Sequence, residues 1–174
     1  FLGLEAALAT PDPDALDLHL HVATQWLHED LTQISACLSL PAEKIRLTLG
    51  GVGGAFGARE DISLQVHCCL LALKAGRPIK MQYSREESFF GHVHRHPATI
   101  FMRHHADANG KIVKIDARFV FDGGAYTSTS PAVLINGITH TQGPYKCDNA
   151  TVDGYAVRTN NPPCGAMRGF GVVQ

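Results

Sequence analysis

The residues with the clearest chemical potential lie in one glycine-rich loop that ends in two charged side chains. The run from Gly50 to Glu60 reads GGVGGAFGARE, with five glycines, one phenylalanine and the pair Arg59-Glu60 at its end. Because glycine has no Cβ atom, the backbone N–H groups of such a loop can approach a ligand closely. The loop predicts a site for an anionic group, with Phe56 as an apolar wall and Glu60 as a carboxylate on the same rim. A tight structural turn is the alternative.

Two common phosphate-binding motifs do not fit this loop. A P-loop requires a Lys-Ser or Lys-Thr pair after its glycines, and no glycine in the chain is followed by one. The dinucleotide fingerprint G-x-G-x-x-G, begun at Gly51, would place its third glycine on Phe56. A ligand at this loop therefore has to be of another kind.

A second segment repeats the combination of glycine, phenylalanine and charge. Residues 160–174 read NNPPCGAMRGFGVVQ, in which Phe170 stands between two glycines and follows Arg168 by two positions. The pair Thr24-Gln25 lies upstream of both segments. Three short polar or glycine-rich elements thus occur in a fixed order along the chain.

These three elements resemble the molybdenum-binding subunits of the xanthine dehydrogenase and aldehyde oxidase family. That family carries a TQ element, a GGxFGxKE-like loop and an A-x-R-G-F-G-x-x-Q element in this order, and the likeness covers nearly the whole chain. It is closest to the large subunit of bacterial xanthine dehydrogenases. The departures are Gly3-Leu4 in place of Glu-Pro, Arg59 in place of a frequent lysine, and Asn136 in place of a substrate-facing arginine of purine-acting members.

The resemblance implies that the chain binds molybdenum pyranopterin, a cofactor whose dithiolene, rather than a histidine, carries the metal. Gln25 would then hydrogen-bond an oxygen ligand of molybdenum. Phe56 and Gly57 would aim a backbone N–H at the molybdenum-oxo face, and Arg168 would lie against the cofactor. The alternatives are a cap amide, a packed turn and a structural salt bridge.

The resemblance also implies three substrate-binding residues. Phe170 would form a wall for a flat substrate, Glu60 would face its polar edge, and Asn136 would donate a hydrogen bond without the charge of the missing arginine. The alternatives are a core aromatic for Phe170 and a solvated carboxylate for Glu60. No catalytic residue is assigned within this chain, because the general base of the family, a glutamate, lies beyond the position of Gln174.

The reaction implied by the family is hydroxylation of a carbon next to a ring nitrogen, or of an aldehyde carbon, with water as the oxygen source. Iron-sulfur clusters and FAD on other domains or subunits would carry the electrons away. Glu60 favours a purine such as hypoxanthine or xanthine, whereas Asn136 favours aldehydes or other N-heterocycles on the same scaffold. A noncatalytic assembly or binding module is the remaining alternative.

The overall composition is that of an ordinary globular protein. The net charge is −1 and 45% of the 174 residues are hydrophobic, which gives no electrostatic reason to expect nucleic acid. No secretory signal is recognisable, and no apolar run approaches the roughly 20 residues of a membrane-spanning helix. The five cysteines form an odd set without a C-x-x-C pair, which is typical of reduced thiols and predicts a cytoplasmic location.

The ends of the chain suggest a portion of something larger. It begins at Phe1 rather than at a methionine and stops at Gln174, the last residue of the third element. We expect residues 1–174 to form a partial molybdopterin-binding domain of a larger subunit. The isolated chain is expected to hold no cofactor stably and to have no hydroxylase activity.

Three histidines, His92, His94 and His96, invite a metal-site interpretation. On a strand their imidazoles would share one face and could bind zinc with a further ligand. No nearby cysteine or carboxylate completes the set, and Arg95 places a fixed positive charge inside it. We therefore predict structural or surface roles for these histidines and no metal ligand in the chain.

Hydrophobic periodicity predicts the elements that must position these residues. Strands are predicted at 16–22, 44–49, 79–83, 98–106, 114–122 and 150–159, and helices at 26–38, around 62–73 and at 131–140. A strand, the glycine loop and a helix N-terminus would thus occur in order, a context that favours anion binding. Asn109-Gly110 signals an antiparallel hairpin. Mixed crossover and hairpin connections predict an α+β fold, with mixed and antiparallel sheets and packed helices.

Overall fold

Two sheets, each with its own helices, organise the chain. The computed structural model describes residues 2–12 and 17–174, which divide into one unit up to His92 and a second unit from Val93 to Gln174. Each unit combines strands with packed helices, and each sheet contains both parallel and antiparallel pairs. The predicted α+β class is therefore confirmed.

The first unit is built on a four-stranded sheet in the order β3-β2-β1-β4. Strand β1 is antiparallel to both of its neighbours, whereas β2 and β3 run parallel. In chain order the elements are β1 (Ala6–Asp12), β2 (Asp17–Val22), α1 (Leu27–Leu38), a 3₁₀ helix (Ala42–Lys44), β3 (Ile45–Leu49), α2 (Gln65–Ala75), β4 (Ile79–Gln82) and α3 (Arg85–Gly91).

The core of this unit forms because β2 alternates strictly between its two faces. Leu18 and Leu20 are buried, whereas His19 lies on the opposite face of the sheet and bonds Thr48 on β3. The buried leucines pack in one cluster with side chains of α1 and α2, namely Ile34, Cys68, Cys69 and Ala72. The strand predicted at residues 16–22 is thus confirmed from Asp17 onward, and its first residue, Leu16, lies outside the described residues.

Three elements of the first unit are absent from the prediction: strand β1, the short 3₁₀ helix and helix α3. Strand β1 has the sequence AALATPD, which combines alanines of low β propensity with a proline, yet hydrogen bonds from β2 and β4 hold it on both sides. Helix α3 begins with a capping box, in which Ser84 Oγ accepts from the Glu87 N–H and the Glu87 carboxylate accepts from the Ser84 N–H. The S-x-x-E spacing is a sequence signal for this start.

The glycine loop is longer than predicted. Helix α2 begins at Gln65 rather than around Ile62, so a series of turns separates the last glycine of the run from the helix. The predicted order of strand, glycine loop and helix is confirmed, and the helix begins later than expected. The loop has to be held by other groups.

The second unit is built on a three-stranded sheet in the order β5-β6-β7. Its elements are β5 (Ala98–Ala106), β6 (Ile112–Gly124), α4 (Ser130–Thr139) and β7 (Ala150–Arg158). Strands β5 and β6 form the predicted antiparallel hairpin, and Asp107 Oδ1 closes its turn by accepting from the N–H groups of Asn109 and Lys111. Strands β6 and β7 are parallel, and α4 lies in the connection between them.

Helix α4 covers the buried face of this sheet. Phe119 and Phe121 of β6 pack against Val133 of α4 in one apolar cluster. On β7, Gly154 leaves room for the helix, because a Cβ atom there would lie 2.8 Å from Ile138. These contacts fix the helix that carries a predicted site residue, the half-buried Asn136.

No helix in residues 2–12 and 17–174 is both long and apolar enough to cross a membrane. Five cysteines are free thiols; Cys37 is exposed, and the other four are buried.

Candidate functional site

The predicted site residues fall into two groups, one in each unit. Gln25, Phe56, Gly57 and Glu60 belong to the first unit, and Asn136, Arg168 and Phe170 belong to the second. Within each unit the structure brings its group together on a glycine-flanked turn.

The turn around Phe56 has an unusual backbone conformation. Phe56 has a φ of 56°, in the left-handed region that side chains other than glycine rarely adopt, and Gly57 follows with a φ of 93°. The turn is closed by a bond from the Ala58 N–H to the Ala55 carbonyl at 3.0 Å. The Phe56 ring is about half exposed, and a Cβ atom at Gly54 would lie 2.9 Å from it. The glycines therefore make room for an aromatic ring at the surface of the loop.

Gln25 holds this turn with its side-chain amide. Its Oε1 accepts from the N–H of Gly57 at 3.0 Å and from the N–H of Arg59 at 3.3 Å. Its Nε2 donates to Glu60 Oε1 at 3.3 Å. An amide nitrogen carries two N–H groups, so among the described residues one N–H of Gln25 is left for a ligand.

The hydrogen bond to Gln25 occupies the backbone N–H of Gly57. The resemblance implies a Gly57 N–H aimed at the cofactor, but in the structure that N–H donates to Gln25. Gly57 is therefore placed to orient the Gln25 amide, and the amide is the group left to face a ligand.

Arg59 anchors the far end of the loop. Its side chain is buried, and Nη2 donates to the carbonyls of Gly3 at 2.8 Å and Leu4 at 3.2 Å. Nη1 reaches the Ala23 carbonyl at 3.4 Å. A Cβ atom on Gly3 would lie 3.2 Å from the guanidinium. Two departures from the family pattern, Gly3 and Arg59, are thus in direct contact, a relationship that sequence reasoning missed.

Only one of the two carboxylate oxygens of Glu60 has a hydrogen-bond partner among the described residues. Oε1 accepts from Gln25, whereas Oε2 is buried and has no hydrogen-bond partner among the described residues. Partial burial raises the pKa of Glu60, and the nearby Asp61 carboxylate adds to the rise, while the Gln25 hydrogen bond opposes it. Glu60 therefore ionises at a higher pH than a solvated glutamate, and its unpartnered Oε2 remains a hydrogen-bond acceptor when the group is a carboxylate.

The second unit holds a similar turn around Phe170. Phe170 has a φ of 46°, and the glycines on either side, Gly169 and Gly171, have φ values of 92° and 99°. The Phe170 N–H donates to the Met167 carbonyl at 2.8 Å. A Cβ atom on Gly171 would overlap the Val133 carbonyl of α4, so no other residue fits there. The Phe170 ring is half-buried and packs against the core cluster of this unit.

Asn136 contacts this turn directly. Its side chain is half-buried, and Nδ2 donates to the Phe170 carbonyl at 2.7 Å. The Asn136 side chain is therefore hydrogen-bonded to a neighbouring residue of the predicted site.

Arg168 lies on the surface at the start of the same turn. Its backbone carbonyl accepts from Arg95 Nη2 at 2.5 Å. Arg95, which the sequence shows only as a charge among histidines, thus supports the turn from outside the motif. Sequence reasoning missed it because its partner is a backbone carbonyl, which leaves no side-chain signal.

His94 and His96 of the 92–96 run lie in different environments. His96 is almost fully buried, its Nε2 lies 2.7 Å from Ser130 Oγ, and burial lowers its pKa. The His94 backbone pairs with the 163–165 segment, where its N–H donates to the Pro163 carbonyl and its carbonyl accepts from the Gly165 N–H. Within the described residues no three His, Cys, Asp or Glu side chains are grouped to hold a metal ion.

Each unit, taken by itself, offers a side chain that binds anionic oxygen rather than a metal ion. Gln25 offers a neutral amide N–H, and Arg168 offers a guanidinium at the surface. Both groups bind oxygen, and neither ligates a metal well. Each of these side chains is of the kind that a molybdenum pterin requires from a protein, because the dithiolene carries the metal and the protein supplies hydrogen bonds and charge.

Comparison with known proteins identifies one family over the whole length. The sequence profile of the molybdopterin cofactor-binding domain matches residues 1–174. The nicotinate dehydrogenase large molybdopterin subunit of Eubacterium barkeri is 38% identical over all of this chain and 41% of its own length. A probable xanthine dehydrogenase subunit of Bacillus subtilis is 36% identical over 98% of this chain and 23% of its own length. The chain thus spans less than half of these relatives.

Solved structures have the same fold. Quinoline 2-oxidoreductase from Pseudomonas putida 86 superposes with a TM-score of 0.88 at 28% identity, over 98% of this chain and 22% of that one. The aldehyde oxidoreductase from Desulfovibrio desulfuricans superposes with a TM-score of 0.90 at 22% identity, over 97% of this chain and 18% of that one. The latter likeness concerns the fold alone.

Proposed function

Because this chain belongs to the molybdopterin cofactor-binding domain family, we propose that it forms part of a molybdenum hydroxylase and that the aromatic turn in each unit contacts cofactor or substrate. The preferred substrate is a nitrogen heterocycle, with the purines hypoxanthine and xanthine as the first candidates. When bound, the molybdenum pterin supplies the two-electron oxidation that exchanges a C–H bond for a C–OH bond with oxygen from water.

The cofactor-facing groups are Gln25 and Phe56 of the first turn and Arg168 of the second. Gln25 donates its remaining amide N–H to an oxygen ligand of molybdenum, and Gly57 keeps the amide in that orientation. A neutral donor stabilises an oxygen ligand without adding charge. Arg168 supplies positive charge beside the anionic pterin.

The buried, unpartnered Oε2 of Glu60 is the observation that carries the choice of a heterocycle. The edge of a purine presents ring N–H donors and nitrogen or oxygen acceptors side by side. The Glu60 carboxylate accepts a hydrogen bond from such a ring N–H through Oε2. The carbonyl group of an aldehyde only accepts hydrogen bonds, so it gives the Glu60 carboxylate no donor to bind. Phe170 provides an apolar face for a flat ring.

Nicotinate is the second candidate substrate. The relative named nicotinate dehydrogenase is 38% identical to this chain. Position 136 carries a neutral asparagine in place of the arginine of purine-acting members, so the charge that would favour a purine at this position is missing. Both candidates are flat nitrogen heterocycles and share the proposed use of Phe170 and Glu60.

The same proposal includes partners and location. Electrons would leave through iron-sulfur clusters and FAD on other domains or subunits, and the general base would come from outside residues 1–174. Free thiols at all five cysteines support a cytoplasmic location.

The experiment is a substrate panel on the full-length, molybdenum-loaded enzyme. Hypoxanthine, xanthine, nicotinate and an aromatic aldehyde are compared by kcat/KM, with molybdenum content measured by elemental analysis. We expect the heterocycles to have the highest kcat/KM. A full molybdenum content without oxidation of any heterocycle would contradict the proposal, and activity on the aldehyde alone would favour the aldehyde alternative.

A further inference from the structure

We propose that Asn136 is a positioning residue that acts through Phe170, not a direct contact to substrate. The inference rests on the proposed function, since it concerns the aromatic wall of that site. Its geometric basis is the hydrogen bond from Asn136 Nδ2 to the Phe170 carbonyl at 2.7 Å.

The Phe170 backbone needs such a support. A φ of 46° is unfavourable for a residue with a Cβ atom. The flanking glycines are free to adopt many other conformations in the absence of outside contacts. The bonds inside the turn, from Phe170 to Met167 and from Val172 to Gly169, link neighbours only. The Asn136 amide ties the turn to a helix that is itself packed on the sheet.

The surface of α4 is shaped for this contact. A Cβ atom on Gly137 would lie 3.1 Å from the Gly171 carbonyl, and one on Gly171 would overlap the Val133 carbonyl. The missing side chains let the turn rest against the helix backbone. Asn136, next to Gly137, supplies the hydrogen bond at the place of closest approach.

The chemistry of the contact fixes the orientation of the amide. A backbone carbonyl only accepts, so the atom of Asn136 that faces Phe170 must be the nitrogen. An aspartate has nearly the same shape and would bring an acceptor against an acceptor. The longer side chain of an arginine at this position could extend past the turn. The shorter asparagine side chain reaches only as far as the Phe170 carbonyl.

This role predicts how the variants Asn136→Ala and Phe170→Ala combine. In the full-length enzyme we expect Asn136→Ala to lower kcat/KM for the preferred heterocycle about tenfold, the size of one lost hydrogen bond. In the Phe170→Ala background the same change should cost less than about twofold, because the ring that Asn136 positions is gone. A tenfold loss in both backgrounds would overturn the proposal and indicate direct contact with substrate.

A second measurement separates this inference from the proposed function. Hydrogen–deuterium exchange of the full-length protein needs no substrate, and we expect faster exchange at Phe170 and Val172 in Asn136→Ala and in Asn136→Asp. The matched control is Ile135→Ala, which removes an exposed neighbour on the same helix. Unchanged exchange in the two Asn136 variants would overturn the positioning role even if the enzyme oxidises heterocycles. Faster exchange in an enzyme that oxidises none would uphold the positioning and contradict the function.

Discussion

The side-chain oxygen of Gln25 lies 3.0 Å from the backbone nitrogen of Gly57 and accepts its hydrogen bond. The two residues are 32 positions apart, so this bond fixes the glycine turn to the segment that leads into helix α1. An equivalent relationship exists in the second unit, where the Asn136 amide holds the turn of Phe170. In both turns a phenylalanine with positive φ is held by an amide from a neighbouring element.

Replacing Gln25 tests the first of these supports. Gln25→Ala leaves the buried N–H of Gly57 without its acceptor, which we expect to cost about 1–3 kcal/mol in the free energy of unfolding. Molybdenum content should fall as well, because the donor to the cofactor is lost. Chemical unfolding and elemental analysis of the full-length protein measure both. Gln33→Ala, on the exposed side of α1, is the matched control; equal behaviour of the two variants would contradict the role of Gln25.

Arg59 should not be replaceable by lysine at small cost. The guanidinium reaches three backbone carbonyls, those of Gly3, Leu4 and Ala23, and a single ammonium cannot span them. We expect Arg59→Lys to lower the free energy of unfolding by about 1–3 kcal/mol. Arg46→Lys, at an exposed position on β3, should change it by less than about 0.5 kcal/mol. A shift of the same size in both variants would argue against the anchoring role.

His96 predicts a loss of stability in acid. Burial lowers its pKa from the ordinary value of 6.5, so the folded state holds the neutral imidazole while the unfolded state takes up a proton. Stability should therefore be level at alkaline pH and fall as the pH drops below about 6.5, by up to about 1.4 kcal/mol per pH unit. Urea unfolding between about pH 5 and pH 8 measures the slope.

The matched comparison for this pH dependence is between two glutamine variants. His96→Gln should be less stable at alkaline pH, since it loses the bond to Ser130, and should show a smaller slope in acid. His28→Gln, at an exposed position on α1, should keep the parent slope. An unchanged slope in His96→Gln would mean that another group accounts for the acid sensitivity.

The sequence could predict those strands and turns that are encoded by a local pattern of hydrophobic or turn-forming residues. The alternation in β2 and the Asn-Gly turn between β5 and β6 depend on neighbours along the chain, and both predictions are confirmed. Strand β1 escapes prediction because its alanines and Pro11 carry no strand pattern; its place is set by the strands on either side. Helix α3 differs, since its capping box is readable in the sequence although hydrophobic periodicity alone does not reveal so short a helix.

In the candidate site, too, the sequence predicts motifs but not the contacts between residues that are far apart in the chain. The order of the three motifs was enough to identify the family, which the match to the molybdopterin cofactor-binding domain over residues 1–174 confirms. The contact between Gly3 and Arg59 and the bond from Asn136 to Phe170 depend on approaches between residues that are far apart in sequence. No local pattern encodes either contact. The roles of the individual site residues stay predictions until the variants are measured.

The most direct test of the proposed function is the kinetic effect of Glu60→Val in the full-length, molybdenum-loaded enzyme. Loss of a charge-assisted hydrogen bond to the heterocycle edge, worth about 1.5–3 kcal/mol, should lower kcat/KM for hypoxanthine and xanthine roughly ten- to a hundredfold. An aromatic aldehyde should lose much less, and Glu43→Val, at an exposed position, should leave all substrates unchanged. Parent ratios of kcat/KM across these substrates in Glu60→Val, at matched molybdenum content, would contradict the assignment of Glu60 to substrate recognition.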